Sequence, residues 1–228
     1  MKGLVVTGTD TGVGKTLVST VLLTLLRERG FSPAALKPCE TGCAPDSPED
    51  ALAMREASGA NDPLDDVCPY RFRAALAPAE AARLEGRRVE LPSLFAAYER
   101  LSRDGRPVIV ESAGGALVPL NEEATFGDLA ARLGLPCVVV ARDALGTLNH
   151  TALTVEALRR RGIPVRGVVL NALTPADDGT RASNAEWIAR QCGVEILAQL
   201  SFHPDRAERL SAGLRAMGRK FDLLFGSR

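Results

Sequence analysis

Gly8-Thr9-Asp10-Thr11-Gly12-Val13-Gly14-Lys15-Thr16 is the stretch on which the reading of this chain turns. Ahead of it, Leu4-Val5-Val6 is an apolar run long enough for a buried strand. Behind it, Val18, Val21, Leu22, Leu25 and Leu26 recur at helical spacing. Strand, glycine-rich turn, then helix is the setting that a phosphate-binding loop requires. Glycines let the backbone curl so that successive N–H groups point inward, the helix N-terminus adds a partial positive charge, and Lys15 adds a full one. Thr16 offers a hydroxyl to Mg²⁺. The spacing is Gly-x5-Gly-Lys-Thr, one residue longer than the common pattern. The nucleotide-binding candidates are therefore Gly12, Val13, Gly14, Lys15 and Thr16, with Leu17 beside them at the helix start.

A chain of 228 residues can bury one large core, so a single domain is expected. Lys plus Arg equals Asp plus Glu at 28 each, with no long run of one sign, which argues against a nucleic-acid surface built on net charge. Cys39, Cys43, Cys68, Cys137 and Cys192 are an odd number in a chain too large to depend on disulfides. With an N-terminus unlike a signal peptide, they point to a reducing cytoplasm. The apolar runs are near strand length, far short of the roughly 20 residues of a membrane span. A soluble intracellular protein is the expectation.

Working outward, Gly30 closes the first helix and Pro33–Leu36 reads as a second strand ending at Lys37-Pro38. A lysine at the C-terminal edge of a strand lies where parallel α/β sheets place ligand groups, although a surface lysine reads the same way. Cys39 and Cys43 lack a second pair of soft ligands nearby, so a zinc site is not expected. Pro48–Ser58 reads as helix with Asp50 in its first turn, where a carboxylate also serves the helix dipole. Residues 61–79 read as an irregular, proline-dotted excursion, followed by helical stretches over 78–85 and 92–102. Val108-Ile109-Val110 reads as a strand ending in Glu111, then a turn at Ser112-Ala113-Gly114-Gly115. An acidic residue there is placed to hold Mg²⁺ directly or through water. Further strands are expected at 137–141, 165–170 and 195–200, and helices at 126–133, from Asn149 onward, at 181–192 and at 205–217. The start of the Asn149 helix carries small and capping residues, so free N–H groups there could hold a carboxylate. His150 reads as a capping or packing residue rather than a general base. The alternation specifies an α/β fold: a mostly parallel sheet with helices on both faces, as in P-loop NTPases.

Several motifs now line up with one family. Thr7 to Thr16 resembles the longer phosphate loop of dethiobiotin synthetases. Lys37-Pro38 with Thr41-Gly42, Asp50-Ala51-Leu52, Pro69-Tyr70-Arg71-Phe72, Glu111 before Ala113-Gly114-Gly115, and Gly146-Thr147-Leu148-Asn149-His150 follow in the family's order. The resemblance covers most of the chain and is weaker after Asn171. It implies that 7,8-diaminopelargonate, CO2 and ATP give dethiobiotin, ADP and phosphate through a carbamate and a carbamic-phosphoric anhydride. It further implies Lys37, Lys15 and Thr11 as catalytic residues, with Thr11, Lys37 and Thr41 bordering the diamine. Thr16, Asp50 and Glu111 would be the Mg²⁺ set. The substrate carboxylate is implied to bind near the Asn149 helix start across a homodimer interface, with Trp187 resembling a tyrosine position that touches it from the partner. No nucleic acid or membrane partner is implied.

Three positions depart from the family's pattern. Ser112 stands where glycine is usual, and Ala79 follows Pro78 where histidine is frequent. Asn171 resembles a base-reading asparagine, yet Leu200-Ser201-Phe202-His203 lacks the usual proline. Two other readings share the sheet: a partition or division ATPase switch, and the synthetase-like domain of cobyrinate amidotransferases. The first usually carries an early lysine in the phosphate loop, where this chain has Gly8-Thr9-Asp10; the second usually has a glutaminase domain attached.

Overall fold

The computed structural model describes residues 2–226. In chain order the elements are β1 (Gly3–Gly8), α1 (Lys15–Glu28), β2 (Ala34–Leu36), β3 (Cys39–Thr41), α2 (Glu49–Ser58), α3 (Leu64–Val67), β4 (Tyr70–Phe72), α4 (Pro78–Leu84) and α5 (Leu91–Leu101). They continue with β5 (Val108–Gly115), α6 (Phe126–Leu133), β6 (Cys137–Arg142), α7 (Thr147–Arg160), β7 (Val165–Asn171), α8 (Arg181–Cys192), β8 (Ile196–Leu200), α9 (Arg206–Gly218) and α10 (Phe221–Phe225). Six strands form one sheet in the order β2-β5-β1-β6-β7-β8, every pair parallel.

Parallel pairing requires crossover connections, and the crossover helices cover both sheet faces. The middles of the strands are accordingly apolar: Leu4, Val6, Ile109, Val138, Val139 and Val169 are all fully buried. α1 is the central helix, packing on β1 and β5 and flanked by α2 and α9. Val18, Val21, Leu22, Leu23 and Leu26 on it are sealed from solvent, each worth roughly 1.5–3 kcal/mol relative to exposure. The chain leaves β1 for the outer strand β2 and returns through β5, then continues on the other side with β6. β1 is thus the point where strand order reverses, and ligands of open α/β sheets bind outside the carboxyl ends there.

The expected α/β architecture is present, with three local corrections. The turn expected at Ser112–Gly115 is strand, because β5 keeps pairing with β1 past a register shift between Val6 and Gly8, Gly8 meeting Gly115. The stretch 61–79 is not wholly irregular. Pro63 precedes α3, and β4 lies parallel to β3 in a small second sheet with Cys39 opposite Tyr70 and Thr41 opposite Phe72. Beyond the expected last helix, α10 folds back so that Phe221 is buried and stacks on Phe31.

Candidate active site

The helix starts of this fold are treated unequally. α6 has a full capping box, Thr125 and Asp128 each accepting the other's backbone N–H, and α9 is capped by Asp205. α1 has no side-chain cap and no acidic residue in its first turn. Its orphan N–H groups and positive dipole end are left for an external anion. Gly14 precedes it at φ 98°, a left-handed conformation, and a Cβ there would lie 2.3 Å from the Asn171 amide nitrogen. Only glycine satisfies both demands. Lys15 is folded back over the loop, its Nζ donating to the Asp10 carbonyl at 3.0 Å. Burial, aided by the neighbouring Lys37 charge, brings its pKa down to about 8.

Beside this loop, three elements deliver one charged cluster. Lys37 follows β2, Asp50 lies in the first turn of α2, and Glu111 sits within β5. The buried Lys37 ammonium donates to Asp50 Oδ2 at 2.8 Å and to Glu111 Oε1. Burial alone would lower the lysine's pKa; the two carboxylates outweigh it and hold it above the usual range. Asp50 shows the converse: burial favours its neutral form, Lys37 overcomes this, and its pKa falls below the ordinary carboxylate value. Ser19 donates to the other oxygen of Glu111 at 2.6 Å. Thr16 Oγ1 lies 2.7 Å from Asp50 Oδ1 and 3.1 Å from Glu111 Oε1. A hydroxyl has one proton, so it cannot fully satisfy both contacts. Asp50 Oδ1 and Glu111 Oε1 gather around the Thr16 hydroxyl as a set of three hard oxygens, which suits an Mg²⁺ ion that favours few protein ligands and keeps waters and phosphate oxygens for the rest.

One cavity of about 590 Å³ joins these groups; Thr11, Lys15, Thr16, Lys37, Thr41 and Asp50 are among the residues lining it, with Gly12 and Gly14 at the loop and Ala113-Gly114 opposite. That size falls within the range of small-molecule sites.

Residues 2–209 match the family described as an AAA domain. An ATP-dependent dethiobiotin synthetase BioD from Anaeromyxobacter dehalogenans (strain 2CP-C) is 52% identical over 212 residues, covering 93% of this chain and 95% of the relative. The chain belongs to the dethiobiotin synthetase family. A synthetase of the same name from Bacillus subtilis (strain 168) is 37% identical, covering 86% of each chain. Among solved structures, the MinC:MinD cell division protein complex of Aquifex aeolicus matches with a TM-score of 0.62 and 14% identity over 100% of this chain and 97% of that one. A ParA family ATPase from Chlorobium tepidum TLS matches at 0.52 and 13% identity, over 98% and 95%. These two likenesses are of fold alone, that of P-loop NTPases.

Against the dethiobiotin synthetase pattern, the structure gathers Thr11, Lys15, Thr16, Lys37, Thr41, Asp50 and the loop glycines at one cavity, with Glu111 directly behind. Val13 is buried beneath the loop, and Leu17 is half-buried on the first turn of α1. Asn149 and Trp187 are not brought to this cavity: both are exposed, on α7 and α8. α7, like α1, starts without a side-chain cap or a first-turn acid. His150 lines a small cleft with Thr9, Asp10, Thr11 and Thr147. Ser112 is buried and donates to the Gly114 carbonyl at 2.9 Å while Thr7 lies 3.0 Å from its oxygen, so its hydroxyl braces the strand end. Ala79 lies in α4, whose first residue, Pro78, lines the cavity.

Glu40 is the site residue that motif reading passed over. Buried in the middle of β3, it accepts the Asp50 N–H at 3.1 Å and the Ala51 N–H at 2.9 Å. It therefore caps α2 from outside and fixes the turn that carries Asp50. Burial raises its pKa, partly offset by those two N–H groups. The absence of a side-chain cap at Pro48, ahead of a helix bearing a site carboxylate, was the only sequence signal of it.

Proposed function

We propose that this chain is an ATP-dependent dethiobiotin synthetase that closes 7,8-diaminopelargonate with CO2 into the cyclic urea dethiobiotin, releasing ADP and phosphate. The observation that carries the reading is the convergence of Lys15, Lys37 and the uncapped start of α1 on one cavity with Thr16, Asp50 and Glu111 at its wall. In the reaction one amine nitrogen adds to CO2 and gives up a proton, forming a carbamate. A carbamate oxygen attacks the γ-phosphorus and the bridging oxygen departs with ADP. The second amine then attacks the carbamoyl carbon and gives up a proton, the bond to the phosphate oxygen breaks with release of phosphate, and the urea ring closes.

Every partner in this sequence except the free diamine and CO2 is an anion, so charge placed in advance is the main requirement. The α1 amides and Lys15 cradle the phosphates. Lys37 faces the carbamate and the transferring phosphoryl group. Its two carboxylate partners hold it protonated in a buried position. A unit charge about 4 Å from an anion is worth roughly 4 kcal/mol at an effective dielectric near 20. Thr11 and Thr41 border the diamine and offer hydroxyls to its nitrogens and the carbamate. Thr16, Asp50 and Glu111 would hold Mg²⁺, which when bound would draw charge from the phosphate oxygens.

The reading extends to assembly. α7 and α8 pack side by side and expose Leu153 and Trp187, with Leu145 exposed just ahead of α7. We place a homodimer interface there, with the uncapped α7 start of one subunit taking the substrate carboxylate. The chain acts as one domain in the cytoplasm; no described helix is long and apolar enough to cross a membrane. The test is isotopic. With diaminopelargonate, Mg-ATP and ¹³C-labelled bicarbonate, the product should be a cyclic urea carrying one labelled carbon; unlabelled or absent urea would reject the assignment.

A further inference from the structure

We propose that Ser112 is a positioning residue for this reaction: its hydroxyl locks the peptide between Gly114 and Gly115 with the carbonyl turned out of the cavity. The proposal rests on the synthetase reading above and concerns a residue that stands where the family usually has glycine. In the pairing of β1 with β5, Val6 lies opposite Glu111 and Gly8 opposite Gly115. Thr7 alone on β1 therefore spans Ser112, Ala113 and Gly114 on β5. β5 bulges there, a device that re-aims the chain next to active sites. The bulge is also cavity wall, since Ala113 and Gly114 line it. Gly114 is left-handed at φ 74°, and a Cβ on it would lie 3.5 Å from Thr11 Oγ1. Its backbone thus faces the threonine placed beside the diamine.

Ser112 closes this bulge from the buried side. Its Oγ donates to the Gly114 carbonyl at 2.9 Å. A hydroxyl has one proton, so in the 3.0 Å contact with Thr7 the threonine is the donor. Both side chains are sealed from solvent, so water does not compete for either bond. A chain of hydrogen bonds runs from Thr7 through Ser112 to one carbonyl. The neighbouring carbonyl, of Gly115, is held separately by the Val118 N–H at 3.2 Å. A peptide between two glycines meets no Cβ as it turns, so its hydrogen bonds choose its orientation. Turned the other way, Gly114 would present the negative end of its carbonyl dipole to the diamine's carbamate. Fixed dipoles are worth most in a closed, charged site, and a wrongly aimed one costs correspondingly. The Ser112 hydroxyl removes that orientation.

The test combines steady-state kinetics with amide hydrogen exchange on the full chain. The variants are Ser112→Ala, Ser112→Gly, Thr7→Val, and Ser112→Ala combined with Thr7→Val. Losing one hydrogen bond in Ser112→Ala should raise KM for diaminopelargonate about tenfold and leave KM for Mg-ATP within about twofold. Ser112→Gly should show the same split and guards against a misfolded alanine variant. Thr7→Val acts through the serine, so its effect should be smaller, and the double variant should match Ser112→Ala alone. Exchange in residues 112–118 should quicken on the order of tenfold in both Ser112 variants, with 108–111 unchanged. A hydroxyl that merely fills space would lower the melting temperature and leave both KM values in place, which would overturn the proposal. An equal rise in KM for ATP, or a double variant that multiplies the two single effects, would overturn it as well. If exchange responds as stated while the native chain forms no cyclic urea, the reaction falls and the peptide lock stands.

Discussion

β1 is flanked by two strands that each deliver a buried carboxylate, and the two are satisfied in opposite ways. On the β5 side Glu111 is held by the Lys37 ammonium and by hydroxyls of Thr16 and Ser19. On the β6 side Asp143 is as deeply buried, but its oxygens accept from the neutral amides of Asn184 and Gln199, each at 2.8 Å. Its backbone completes the clamp, the N–H donating to Asn171 and the carbonyl accepting from Arg181. A carboxylate held by fixed dipoles ties β6, β7, α8 and β8 together and has nothing to release. One held by a lysine ammonium at the edge of a cavity can share that cation with a phosphate. The same residue type is structural on one side of β1 and chemical on the other because of what neutralises it.

Removing the cation breaks the comparison most severely. Lys37→Ala should slow ring closure on the order of a thousandfold, and unpairing two carboxylates should cost about 3–5 kcal/mol of stability. Steady-state turnover and urea melts check both, and near-normal turnover would take Lys37 out of the chemistry.

pH sharpens the contrast next. Lys15 has a folded pKa near 8 against 10.5 unperturbed, so in the free protein it loses its proton as pH rises through 8. ATP affinity should hold below pH 8 and weaken up to about tenfold per unit above it. Stability moves the other way. The unfolded lysine stays protonated to about 10.5, so between these values the unfolded state binds more protons and this group's contribution rises with pH. In Lys15→Met both trends should vanish; persistence of either in melts or ATP titrations across pH 7 to 10 would assign it elsewhere.

Smaller effects separate support from chemistry. Glu40→Gln keeps one acceptor on the α2 start and should raise the Mg²⁺ concentration for half-maximal activity about tenfold, with maximal turnover reduced less. Equal loss in both would make Glu40 more than a positioning residue. Asp143→Asn should change turnover by less than about threefold and stability by about 1 kcal/mol, since the facing amides can turn over to meet it. A hundredfold loss of turnover there would erase the distinction between the two sides.

Much of this was legible in the chain. Leu4–Val6, the Gly-Lys-Thr turn and the apolar spacing of α1 defined the nucleating β1-loop-α1 unit, and long apolar runs revealed the other central strands. Lys37, Asp50 and Glu111 were legible as types at strand and helix ends, but each alone reads equally as a surface lysine, a helix-dipole acid and a strand-end acid. β2 was readable as an unbroken apolar run, whereas β3 and β4 are three residues each with a charged residue in the middle, so they were hidden, and Glu40 with them. Asn171 was legible as a site residue, while its engagement with Val13 depends on a left-handed Gly14 that sequence alone does not place. Asp143 gave no signal because its partners are neutral and lie 41 and 56 residues away.

The central claim is that the edge of β1 brings nucleotide and carbamate together for phosphoryl transfer. The most direct measurement is ADP release in the presence and absence of diaminopelargonate and of CO2. The account predicts rapid release only when both are present, with either alone near background; ADP formed at an unchanged rate without the diamine would contradict it.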